Sequence, residues 1–283
     1  MRVYISADME GVTGVCHRDH LVVGGQDYER ARRWLTGDVN AAVEGALEGG
    51  ADDVVVADGH ATMRNILLDE LHEAARLVTG PAQARNRALG QIAGLEAGPF
   101  QAAFLVGYHS RAGAPGGLLS HTWVGALVHE IRLQQRPAGE ALLNAALLGH
   151  HGIPVLLATG ADDFCREARA DLGEGVELAE VKRTLGPTAC LSLAPARSRR
   201  VIREAAARAL RRRPLPAPLR VGTPVLLEVE FHRREMRDRA QETGGTPTGD
   251  RGLRFEGSDP PTAVAALWRS LEEALREDAA FLK

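Results

Sequence analysis

The chain alternates between short apolar runs and longer stretches of helical period. Arg2 to Ala7 carries Val, Tyr and Ile in alternation and ends at an acid, which predicts a strand closing at Asp8. From about Tyr28 to Glu48, apolar residues recur at three- and four-residue spacing (Ala31, Leu35, Val39, Ala42, Val43, Ala46), and Gly49-Gly50 supplies the stop, so a helix is expected. Asp53 to Ala57 is apolar without polar alternation, the pattern of a strand covered on both faces. Strand, helix and strand at this distance form a βαβ unit and a parallel sheet. Phe104 to Val106 and Ile153 to Ala158 read as further buried strands, with an amphipathic helix from Glu140 to Leu148 between them. His121 to Leu133 alternates and predicts a strand or hairpin at the edge of that sheet.

Near residue 195 the texture changes. Arg197 to Arg213 is a basic amphipathic helix, and Pro214 to Pro218 is a rigid turn or linker. A strand from Val225 to Phe231, a polar loop from Thr243 to Gly249 and a closing helix from about Thr262 to Leu282 follow. The expected fold class is α/β, a mainly parallel sheet flanked by helices. Residues 1–194 would form the catalytic domain and residues 195–283 a smaller C-terminal α/β domain.

Composition narrows the class. With 283 residues, 45% hydrophobic and 25% charged, the chain has an ordinary globular make-up. A net charge of -3 and 4% aromatic residues exclude a concentrated basic footprint or a stacking platform, so neither nucleic acid nor a membrane surface is expected as partner. No run reaches the 18 or so apolar residues of a membrane span. Three cysteines without Cys-x-x-Cys spacing argue for a reducing, cytoplasmic setting and against a thiolate metal site. All but two of the 34 basic residues are arginine, Lys182 and Lys283 being the exceptions.

In open α/β sheets, ligands bind in the crevice at the carboxyl ends of the strands. Asp8 and Glu10 follow the first strand in Asp-x-Glu-Gly, His60 follows the second in Asp58-Gly59-His60, and His109 follows the Phe104 strand in Gly107-Tyr108-His109. Glu140 opens a helix after Gly139. Carboxylates and imidazoles without thiolates are the donors of a catalytic Zn²⁺ or similar ion. One catalytic ion needs only three such ligands. Five, with one carboxylate bridging, can hold two divalent ions about 3.5–4 Å apart. His121, beyond the Gly-rich stretch Gly113 to Gly117, is the candidate catalytic group that binds no metal, since neutral imidazole can move a proton or attack an acyl carbon. His17 and His20 stand in reserve near the acidic loop, and the other histidines read as surface or packing residues. No phosphate-binding loop, dinucleotide fingerprint or nucleophile elbow is present.

Together these residues resemble the zinc-dependent D-aminopeptidases of the DppA type. The likeness rests on Ser6-Ala7-Asp8-Met9-Glu10-Gly11, Asp58-Gly59-His60, Gly107-Tyr108-His109, Ser120-His121, Gly139-Glu140 with Asn144-Ala145, and Gly152-Ile153-Pro154-Val155, in that order over the first 165 or so residues. It implies a binuclear zinc aminopeptidase acting on short peptides, with Asp8 bridging, Glu10 and His60 on one ion, His109 and Glu140 on the other, and His121 catalytic. It further implies a large ring-shaped homo-oligomer with the sites facing an internal chamber. Two departures, a slightly long stretch between His109 and His121 and Gly160-Ala161-Asp162-Asp163 where Gly-Asp-Asp is expected, bear on loop geometry and substrate preference. An L-specific aminopeptidase, an amidase, a phosphoesterase or a non-catalytic metal-binding protein would use the same ligand set.

Overall fold

A computed structural model of the chain describes residues 1–81 and 87–281. In chain order the elements are β1 (Arg2–Ala7), α1 (Tyr28–Glu48), β2 (Asp53–Asp58), β3 (Ala75–Val78), β4 (Ala102–Tyr108), β5 (Val128–Leu133), β6 (Arg136–Pro137), α2 (Glu140–His150), β7 (Val155–Ala161), α3 (Asp162–Leu172), β8 (Glu177–Gly186), β9 (Ala189–Ser192), α4 (Pro195–Arg211), β10 (Val225–Phe231), α5 (Arg234–Ala240), β11 (Thr246–Thr248), β12 (Gly252–Gly257) and α6 (Pro260–Phe281). Leu282, the expected last residue of the closing helix, lies outside the described residues.

Seven strands form one sheet in the order β3-β2-β1-β4-β7-β8-β9. Every pairing in it is parallel except β8 with β9. The α/β class with a mainly parallel sheet is thus observed. The strands are apolar on both faces because both are covered. Val3, Ile5, Val54, Val56, Phe104 and Val106 pack under α1 and α4. Tyr4, Val55, Ala57, Ala103 and Leu105 face a second core that includes α2, α3 and α6. Chain order along the sheet reverses between β1 and β4: the chain runs outward to β2 and β3 on one side and to β7, β8 and β9 on the other. That switch point opens a crevice at the strand ends.

A second sheet of five strands, β11-β12-β10-β5-β6, is antiparallel. Along β10, Val225, Leu227, Val229 and Phe231 are buried, while the intervening residues are half-exposed, as one covered face requires. Two expectations need correction here. Residues 121–127 are turns and bends, not strand, and β5 lies between β10 and β6 in the second sheet, not at the edge of the first. Alternation in His121 to Leu133 reported a one-sided strand correctly but could not name its partner. The sheets also do not follow the cut at residue 195: α4 packs on α1 against the first sheet, and β5 and β6, from the middle of the chain, build the second.

At the switch point two loops meet backbone to backbone. The Asp8 amide donates to the Val106 carbonyl at 2.8 Å and the Gly11 amide to the Gly107 carbonyl at 2.7 Å. A Cβ on Gly11 would lie 1.9 Å from the Tyr108 oxygen, and one on Gly107, at φ +75°, would lie 2.2 Å from the Asp8 oxygen. Only glycine allows that approach. Gly107→Ala is therefore expected to lower the unfolding free energy by about 2 kcal/mol or more, checked by denaturant titration against the parent chain.

Candidate metal centre

The crevice collects the five expected metal ligands. Asp8 and Glu10 leave β1, His60 leaves β2, His109 leaves β4 and Glu140 begins α2, and all five are buried. His60 Nδ1 lies 3.3 Å from Asp8 Oδ1 and 3.1 Å from Glu10 Oε2. His109 Nε2 lies 3.3 Å from Asp8 Oδ2 and 3.6 Å from Glu140 Oε1. The two oxygens of Asp8 thus face different histidines. His121 joins the cluster from the opposite loop, with Nε2 3.9 Å from both Glu10 Oε1 and Glu140 Oε1 and its ring stacked on His109 at 4.2 Å. Its side chain keeps 27% exposure, whereas those of the other five are nearly closed to solvent.

Each imidazole is oriented from behind. His109 Nδ1 bonds the Ser110 carbonyl, His121 Nδ1 the Leu119 carbonyl and His60 Nε2 the Leu21 carbonyl, at 2.9, 2.9 and 3.0 Å. The nitrogen turned into the cluster is then free to offer a lone pair, the usual arrangement of a metal-binding histidine. Asp8 Oδ2, Glu10 Oε2 and His109 Nε2 are buried yet have no partner in hydrogen-bonding geometry. Three carboxylates sit together with no arginine or lysine paired to any of them among the described residues.

Electrostatics repeats the message. Burial drags His109 down, but Asp8 and Glu140 outweigh it and lift the ring to about 10. His60 is likewise held down by burial and raised well above its ordinary value by Glu10 and Asp8. Burial works to raise the Asp8 carboxyl, and the neighbouring imidazoles of His109 and His60 overcome it, leaving the group below the ordinary range. Glu140 goes up, burial outweighing His109. A cluster that pulls protons onto its histidines lacks positive charge, and divalent cations would supply it.

Residues that pattern alone did not single out complete the site. Glu140 Oε1 accepts from the Trp123 amide at 2.6 Å and Glu140 Oε2 from Gln91 Nε2. Asn144 Nδ2 holds Gln91 Oε1 at 2.8 Å and Tyr108 Oη at 2.9 Å. Asp58 accepts from the Asn65 amide, Asn65 Nδ2 and the Ile66 amide, which folds the loop carrying His60. Lys182 is wholly buried beneath the acidic loop and donates to the carbonyls of Glu10, Val12 and Val15 at 2.6, 2.8 and 2.5 Å. Burial pulls its ammonium down to about 8. Its signal was compositional: Lys182 is one of only two lysines among 34 basic residues, and a compact three-donor ammonium meets three carbonyls from one point where a planar guanidinium does not.

The reserve histidines serve elsewhere. His20 Nδ1 accepts from the amides of Cys16 and His17, and His17 Nδ1 from that of Asp19, so both close the turn Arg18–His20. Cys16 and Cys190 are free, half-buried thiols.

Above the cluster a cavity of about 660 Å³ opens to solvent, lined by Asp8, His60, His121 and Glu140 at its floor and by Met63, Trp123, Val124, Trp268 and Leu275 among its walls. The last two come from α6. Trp123 and Trp268 meet edge to face at 5.4 Å.

Comparison with known proteins gives the chain's relatives. A family model described as D-aminopeptidase matches residues 1–268. A curated D-aminopeptidase of Bacillus subtilis (strain 168) is 32% identical over 278 residues, 98% of each chain. Among solved structures, the Zn-dependent D-aminopeptidase DppA from Bacillus subtilis, described as a self-compartmentalizing protease, superposes with a TM-score of 0.91 at 31% identity, covering 98% of both chains.

Lys182→Met would strip the ammonium from three buried carbonyls and leave only that of Val12 with another donor, the Val15 amide. It is expected to lower stability by about 3 kcal/mol or more and to speed hydrogen exchange at residues 10–16; unchanged protection there would show that the loop holds itself.

Proposed function

Since the chain belongs to the D-aminopeptidase family of peptidases, we propose that it is a zinc-dependent aminopeptidase that removes N-terminal residues, D-residues in preference to L, from short peptides. The observation that carries this reading is the buried cluster of unpartnered carboxylate and imidazole atoms at the floor of an open cavity. Its donor set fits zinc or a similar divalent ion. We assign Asp8 as the shared ligand, Glu10 and His60 to one ion, and His109 and Glu140 to a second. The distances support that division, because His60 stands with Asp8 Oδ1 and Glu10, and His109 with Asp8 Oδ2 and Glu140.

Bound there, the ions supply Lewis acidity, which polarises a peptide carbonyl and lowers the pKa of the attacking water. The chain supplies position and proton transfer. His121 is turned by the Leu119 carbonyl so that Nε2 faces the cluster, and its partial exposure in the cavity lining supports contact with a bound peptide. It takes up the proton released as water attacks and returns it to the leaving amine. Gln91 and the Trp123 amide fix Glu140 throughout.

Assembly and location belong to the same proposal. The self-compartmentalizing relative supports a large ring of identical subunits with sites in a common chamber. The free state of Cys16, Cys165 and Cys190 supports a cytoplasmic, reducing setting. No helix among the described residues is long and apolar enough to cross a membrane.

Metal analysis of the purified chain is expected to give two divalent ions per subunit, and Asp8→Ala should lose both, since it removes the shared ligand. A protein that binds no divalent ion would overturn the reading. His121→Ala should keep its metal and lose turnover by a factor of roughly 10²–10⁴, measured on a panel of D- and L-aminoacyl anilides. Cleavage of the D-series by the parent supports the assignment; metal without cleavage of either series rejects it in favour of a binding protein.

A further inference from the structure

One charged side chain of the cavity has no role in the mechanism. Arg64 lines it, exposed, and is its only arginine or lysine among the residues whose side chains are described. No acidic partner for its guanidinium exists among those residues, in contrast to Arg76, which pairs with Asp53, and Arg32, which pairs with Glu29. The backbone on either side is pinned. The Met63 amide bonds the His60 carbonyl at 2.7 Å, and Asn65 is buried and tied to Asp58 through its amide and side chain. Arg64's own carbonyl accepts from Arg32 Nη2 at 3.3 Å. Met63, φ +56°, and Ala61, φ +44°, hold left-handed conformations that most residues avoid, and such strain clusters where a loop is shaped for a ligand.

The cavity lining therefore combines three kinds of group. Carboxylates and imidazoles occupy the floor, Met63, Trp123, Val124, Trp268 and Leu275 supply an apolar wall, and one free guanidinium lies among the exposed lining residues. A short peptide with a free carboxyl end has a group for each: a scissile amide near its amino terminus, apolar side chains, and a terminal carboxylate. A guanidinium offers that carboxylate two parallel N–H donors. We infer that Arg64 binds the C-terminal carboxylate of the substrate, so that the enzyme acts on very short apolar peptides with a free carboxyl end and discriminates against longer or C-terminally blocked ones. The inference rests on the aminopeptidase reading, whose substrate class it narrows.

The test compares D-alanyl-D-leucine with D-alanyl-D-leucinamide, which differ only in that charge. The zinc-loaded parent should favour the acid roughly five- to tenfold in kcat/KM, with the difference carried by KM, solvent exposure keeping the effect modest. Arg64→Gln should bring acid and amide to the same value, and Arg64→Lys should restore part of the preference. Equal handling of the two by the parent, or a preference that survives Arg64→Gln, would overturn the inference. The same pair titrated by calorimetry into His121→Ala protein, with and without Arg64→Gln, separates this outcome from failure of the parent reading. An acid preference in binding that depends on Arg64 upholds the carboxylate site even where neither compound is cleaved, and cleavage of both without preference rejects it alone.

Discussion

Everything at the centre depends on how close the loop after β1 comes to the end of β4. Those segments touch through main-chain atoms, with Gly11 and Gly107 leaving no room for a side chain between them. Their hydrogen bonds fix Asp8 and Glu10 on one side and His109 on the other before any side chain is considered. The sheet reverses its order at this seam, so two neighbouring parallel strands send their chains away in opposite directions and leave a gap that no crossover fills. Burial of the acidic residues follows from the same closeness.

Burying three carboxylates within a few ångströms is costly unless positive charge meets them. The fold meets that demand in part. Lys182 satisfies the main chain of the loop from below, leaving the carboxylates themselves to the histidines. Backbone carbonyls hold the histidines by their outer nitrogens, and Asp8 Oδ2, Glu10 Oε2 and His109 Nε2 remain without partners. Local order is therefore set by the protein and the missing charge is left to a ligand, the division of labour expected where a cation must be held tightly yet keep room for substrate.

Much of this was legible in the sequence because it is local. The strands of the first sheet announced themselves as apolar runs, and the five candidate ligands lie one to three residues past strand ends or at a helix start, where strand order alone predicts convergence. What escaped was non-local. β5 alternates as any one-sided strand does, and nothing within it says that its neighbour, β10, lies some ninety residues on. Gln91 looks like an ordinary polar residue until the fold sets it against Glu140, and the rarity of Lys182 marks it without saying that it lies beneath the acidic loop. Trp268 and Leu275 belong to a helix whose apolar stripe would read the same whether it faced a core or a cavity. α3 is clearly amphipathic and its pattern was readable, whereas the short strands β3, β9 and β11 carry too little pattern to be separated from loop.

The second sheet binds the middle of the chain to its end. β5 and β6 deliver Glu140 into α2, yet they sit in a sheet completed only by β10 and β12, and the cavity gains its far wall only from α6. During synthesis the acidic loop, both flanking histidines and Glu140 emerge long before those partners exist. A nascent or truncated chain thus carries its hydrolytic groups without the scaffold that aligns them, and peptide-cleaving competence arrives late, as a property of the finished polypeptide.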